Sequence, residues 1–101
     1  MAWGNITEGD FGWVGRLVLT EDGVVQDISS YTTQQFIFRP PTGDEVTVTA
    51  QFDTDGTDGA LIYTVSPTTI DISGMWEVRA RIAKSGVQLT SKAHRFPVFE
   101  A

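Results

Sequence analysis

Apolar and polar residues alternate with a period of two along most of this chain, and turn residues interrupt the alternation at short intervals. Residues 45–52 show it most clearly. Val46, Val48, Ala50 and Phe52 fall on one side, and Thr47, Thr49 and Gln51 on the other. A strand turns successive side chains to opposite faces, so this pattern predicts a half-buried strand. Residues 75–84 repeat it, with Trp76, Val78, Ala80 and Ile82 on the apolar side and Glu77, Arg79 and Arg81 on the wet side. A helical reading of that stretch would spread its charges all round. Residues 31–39 place Phe36 and Phe38 in step with Ile37 between them; residues 60–66 do the same with Leu61, Tyr63 and Val65. Residues 13–20 carry Leu17 and Leu19 in step, and residues 24–28 form a shorter run. Residues 87–89 and 95–99 read as two ends of one last strand, interrupted near residues 91–94.

The punctuation agrees with these strands. Glu21-Asp22-Gly23 and Lys84-Ser85-Gly86 have hairpin-turn form, in which glycine supplies a positive φ at no steric cost. Pro40-Pro41-Thr42-Gly43 separates two strands, because adjacent prolines cannot sit inside a central ladder. Residues 53–59 form a polar loop and residues 67–74 a longer connection. About seven short strands with no helical period predict an all-β fold, an immunoglobulin-like antiparallel β-sandwich over residues 13–101. Residues 1–12 are Gly-rich, poor strand material, and read as an N-terminal arm.

The chain has 101 residues, enough for one domain and its core. It contains no cysteine, which removes disulfides, thiolate metal sites and a cysteine nucleophile. Seven Lys and Arg against thirteen Asp and Glu give a formal charge of −6. That balance argues against nucleic acid as a partner, since such affinity comes largely from cations on phosphates, and against an anionic membrane. The first ten residues have neither the basic nor the apolar region of a secretory leader, and no apolar run nears the ~20 residues of a membrane helix. Asn5-Ile6-Thr7 has the form of a glycosylation acceptor, which carries no weight without secretion.

Few groups suggest chemistry. Asp53, Asp55 and Asp58 alternate with Thr and Gly in the 53–59 loop, offering hard oxygen ligands of the kind Ca²⁺ takes. The spacing is not that of an EF-hand, and Asp and Gly also serve turn geometry alone. His94 is the only histidine, stands beside Lys92 and Arg95, and has no nucleophile elbow to serve. Asp71-Ile72-Ser73-Gly74-Met75-Trp76 resembles the tyrosine-corner region of immunoglobulin domains, with Trp76 replacing the tyrosine, and reads as a structural pin. Trp3, Phe11 and Trp13 cluster at the arm, and aromatics are enriched at protein interfaces. They are the candidate interface residues. The competing reading has Phe11 and Trp13 capping the end of the sandwich, with only Trp3 loose. On the docking-arm reading, deleting residues 1–8 leaves the fold intact but abolishes assembly.

Five pieces, in order, resemble a small family of phage proteins that includes the N-terminal domain of baseplate upper proteins and short immunoglobulin-like virion proteins. They are Gly9-Asp10-Phe11-Gly12-Trp13, Glu21-Asp22-Gly23-Val24-Val25-Gln26-Asp27-Ile28-Ser29, Phe36-Ile37-Phe38-Arg39-Pro40-Pro41-Thr42-Gly43, Asp55-Gly56-Thr57-Asp58-Gly59-Ala60-Leu61-Ile62-Tyr63 and Asp71-Ile72-Ser73-Gly74-Met75-Trp76-Glu77-Val78. The likeness covers nearly the whole chain from Gly9. It implies an immunoglobulin-like sandwich and a virion location, in a capsid decoration, tail or baseplate accessory protein made in the host cytoplasm. It also implies capsid, tail or baseplate subunits as partners, and neither catalytic residues nor a cofactor. Self-association is a further expectation, since the edge strands of an isolated sandwich can pair with neighbours, and decoration or ring assembly would use such edges or the N-terminal arm. Baseplate upper proteins are long, whereas this chain stops after one domain, which leaves capsid decoration or another accessory position open. The alternative is a carbohydrate-binding or host-adhesion β-sandwich. Sugar stacking needs coplanar exposed aromatics, and Trp3, Trp13 and Tyr31 are the candidates outside the predicted core faces.

Overall fold

The computed structural model describes residues 3, 6–66 and 69–100. These residues form eleven strands and no helix: β1 (Ile6–Thr7), β2 (Val14–Val18), β3 (Thr20–Glu21), β4 (Val24–Val25), β5 (Thr33–Arg39), β6 (Val46–Thr49), β7 (Gln51–Phe52), β8 (Ala60–Thr64), β9 (Gly74–Lys84), β10 (Val87–Thr90) and β11 (His94–Phe99). The protein is all-β. Its large sheet runs β1-β11-β9-β5-β6, with β10 also paired to β9; a smaller sheet runs β2-β8-β7, and β3-β4 is a separate hairpin.

β9 organises the large sheet. Its even positions Trp76, Val78, Ala80 and Ile82 are buried, as the alternation predicts, and meet Phe36, Phe38 and Phe96 from neighbouring strands. Leu61, Val65 and Trp13 close the same core from the smaller sheet's side. The hairpin turn after Asp22 uses Gly23 at φ 80°, a left-handed conformation open to glycine without a Cβ clash.

Three expectations change, and a fourth is met with its cause now visible. Residues 45–52 do not form one strand. β6 pairs with β5 in the large sheet and β7 with β8 in the smaller one, so the chain changes sheets at Ala50, whose N–H still bonds Gln34 O at 2.9 Å. Periodicity survives such a crossing because Ala50 remains buried at 2% exposure. The last strand is interrupted where expected, by a β-bulge: between the pairs Thr90↔Arg81 and His94↔Val78, residues 91–93 oppose only Arg79 and Ala80. Ser91 Oγ accepts the Ala80 N–H at 2.9 Å, supplying an acceptor where the ladder is disrupted. The arrangement is not wholly antiparallel, since β1 runs parallel to β11 with Ile6 opposite Val98. Finally, the boundary placed after residue 12 moves towards the N-terminus, because Ile6 is 0% exposed and belongs to the core cluster. Met1, Ala2, Gly4 and Asn5 of the expected arm, with the Asn5 acceptor position, lie outside the described residues, as do Pro67 and Thr68 of the expected 67–74 connection.

Candidate interaction surfaces

The three candidate interface aromatics separate. Trp13 is buried at 8% exposure. Trp3 folds over it edge to face, with ring centroids 5.3 Å apart, and also contacts Phe96 at 5.1 Å and His94 at 6.2 Å. Its indole N–H donates to Arg16 O at 3.1 Å. A Cβ on Gly15 would lie 2.4 Å from Trp3 Cη2, so the glycine makes room for the indole. Trp3 therefore plugs the domain it precedes. Phe11 is 64% exposed, the one of the three that lies open on the surface. The expectation that residues 1–8 are dispensable for folding is corrected: that truncation removes Ile6 from the core and Trp3 from its seat. Tyr31, the remaining sugar-stacking candidate, carries Lys84 Nζ 4.5 Å above its ring. The three candidates thus make no exposed coplanar platform.

Asp53, Asp55 and Asp58 are each engaged locally. Asp53 pairs with Arg16 at 2.9 Å, Asp55 accepts the Thr57 N–H and hydroxyl, and Asp58 accepts the Ala60 N–H. Those hydrogen bonds from Thr57 hold the Asp55 carboxyl below its ordinary range. The Ser29 hydroxyl and N–H do the same for Asp27, against a smaller opposing effect of the Asp55 charge. No three Asp, Glu or His side chains among the described residues converge as a metal-ligating group. The loop's geometry is that of two Asx turns packed together, with Ile28 N donating to Gly56 O at 2.8 Å. Trp76 is pinned as the corner reading predicts, its Nε1–H donating to Ile72 O at 2.8 Å.

Two further surfaces take shape in the fold, the first at strand edges of the kind the sequence reading expected to be exposed. A groove of about 860 Å³ opens between the edges of β2 and β10 that pair with no strand among the described residues, floored by Leu17, Ala80 and Ile82. Trp13 O and Leu19 N bond towards the smaller sheet's side, so alternation turns Arg16 outwards, where its carbonyl takes the Trp3 indole. The second is the outer face of the large sheet. Cross-strand register sets Arg39 and Arg95 on either side of Glu77, and Arg79 and Arg81 follow on β9. Arg95 pairs with Glu77 at 3.2 Å and Arg79 with Glu45. Arg39 and Arg81 make no ion pair among the described residues, and Arg81 Nε is buried without an acceptor. Beside the arginines, Met75 is 54% and Phe99 52% exposed. The sequence marked Glu77, Arg79 and Arg81 as one wet side, but only the register brings Arg39 and Arg95 alongside. Compared with models of known protein families and with curated proteins, the chain matches neither a family nor an individual protein.

Proposed function

We propose that this protein is a non-enzymatic structural component of a phage particle, a capsid decoration or a tail or baseplate accessory, and that it works through contacts with other virion proteins. The observation that carries the reading is where the family-like motifs fall. Gly23, Gly59 and Gly74 stand at strand boundaries and Gly43 in the loop between β5 and β6, with φ of 80°, 70°, 130° and 95°. The motifs are thus the turns of one particular strand order, which is what a shared fold would keep in common. That order supports an immunoglobulin-like sandwich. β5, β9 and β11 are neighbours in one sheet, β2, β8 and β7 in the other, and a short first strand runs parallel to the last. The Trp76 pin at the start of β9 stands where the tyrosine corner of such domains stands. Contact as the mode of action draws support from exposed Phe11, Met75 and Phe99 and from the edges of β2 and β10 that pair with no strand among the described residues.

The test is location. Antibody against the chain should label gradient-purified particles of the phage that encodes it, and its peptides should appear in their mass spectra at a fixed ratio to the major capsid protein. Particles free of both label and peptides refute the proposal.

A further inference from the structure

The charge of this molecule is segregated. The outer face of the large sheet holds Arg39, Arg79, Arg81 and Arg95, four of the chain's seven cations, against Glu45 and Glu77. With a chain charge of −6, a face at +2 leaves −8 for the rest. Much of that sits at one end. The β3-β4 hairpin with Glu21 and Asp22 emerges beside the 53–59 loop, since Leu19 N donates to Gly59 O and Gln26 N to Leu19 O. Asp27 adjoins the same loop through the bond from Ile28 N to Gly56 O. This acidic end lies where β9 finishes, near Lys84 and its contact with Ser30. Arg39 and Arg95 lie at the other end of β9, opposite Glu77.

We propose that this arginine face docks a second copy of the chain by its acidic end, head to tail. Charge complementarity selects that occupant: both poles belong to one molecule, and like poles repel. The face also has the residue types of an interface core, with Arg beside exposed Met75 and Phe99, and a concavity of about 360 Å³ among Arg39, Pro40, Pro41, Met75, Glu77 and Arg95 to receive a side chain. Arg39, exposed and without an ion pair among the described residues, gains in the complex a carboxylate acceptor. A contact between two different patches is heterologous, so it propagates into a ring or a filament. The inference deepens the contact reading above and is independent of the phage assignment, because association in solution and presence in particles are measured separately.

The experiment is sedimentation velocity of the whole chain over a concentration series. At about 0.01 M salt, where the Debye length is about 30 Å, the mean mass should rise with concentration; at about 1 M salt, where it is about 3 Å, it should return to that of the monomer. Arg39→Glu/Arg95→Glu and Glu21→Lys/Asp22→Lys, each checked for an unchanged melting profile, should each stay monomeric at low salt. An equimolar mixture of the two should associate again, because each reversed pole then meets its opposite. A wild-type chain that is monomeric throughout, single variants that associate as the wild type does, or a mixture that fails to recover would each overturn the proposal.

Discussion

Gly15→Ala should destabilise the protein only while Trp3 is present. Gly15 is buried in β2, in an ordinary extended conformation, and the three atoms nearest its missing Cβ all belong to the Trp3 indole, at 2.4, 2.6 and 3.2 Å. Carbon atoms rest at about 3.5–4.0 Å, so the ring must retreat by more than about 1 Å. It then gives up its seat against Trp13 and Phe96 and its bond to Arg16 O. A buried Trp covers about 150–250 Å², and losing roughly 100 Å² of that from a half-buried ring costs ~2.5 kcal/mol at about 25 cal/mol per Å². Replacing glycine by alanine in a strand returns roughly 0.5–1 kcal/mol. The net loss is about 1.5–2 kcal/mol, and at about 4–8 °C per kcal/mol for a domain of this size Tm falls by roughly 6–16 °C. In a Trp3→Ala background the clash is gone, and Gly15→Ala should raise stability by roughly 0.5–1 kcal/mol. Urea denaturation of the four proteins in this double-mutant cycle reads the coupling directly. Equal destabilisation by Gly15→Ala in both backgrounds would refute the seating of Trp3 against β2.

Other expectations follow from single contacts. Trp76→Phe removes the donor to Ile72 O and leaves space in the core; stability should fall by about 2–4 kcal/mol, read as a lower urea midpoint at unchanged slope. Ser91→Ala orphans the Ala80 N–H in β9, which should cost about 1–3 kcal/mol and raise the hydrogen-exchange rate of that amide above those of its β9 neighbours. The Asp27 and Asp55 carboxyls are held below their ordinary 3.8 in the folded protein, so their stabilisation is present above that value and is lost as pH falls through their lowered folded values. The melting temperature should therefore drop below about pH 4, and Asp27→Asn with Asp55→Asn should flatten that drop. Ca²⁺ should leave the melting temperature unchanged, because Asp53, Asp55 and Asp58 are committed to separate partners; a site filled at 100 times its Kd would add about 2.7 kcal/mol.

The strands and most of the core were legible in the chain because a half-buried strand writes its burial into alternate residues. Trp76, Val78, Ala80 and Ile82, like Phe36 and Phe38, are buried where the period of two placed them. Ile37 shows the limit. It lies between Phe36 and Phe38 on the opposite side of the sheet, yet it is 1% exposed, its cross-strand neighbours being Arg79 and Thr47. Turn positions were equally readable, since Gly23 and Gly86 supply positive φ where their tripeptides predict hairpins. The break in the last strand was visible too, although its cause, a bulge stitched by Ser91, was not.

What the chain alone determined was therefore local: period, punctuation, the absence of cysteine, and an excess of acid. What only the tertiary structure decided was non-local. The exchange of sheets at Ala50 keeps the same alternation on both sides, so no residue pattern announces it. The parallel pairing of β1 with β11 and the folding of Trp3 onto Gly15 join positions distant in sequence, and composition around Trp3 suggested a free arm instead. The arginine face needs the register of three strands before Arg39, Glu77 and Arg95 fall in one row. Alternation specifies which side of a strand is wet; only strand pairing specifies which wet sides stand together.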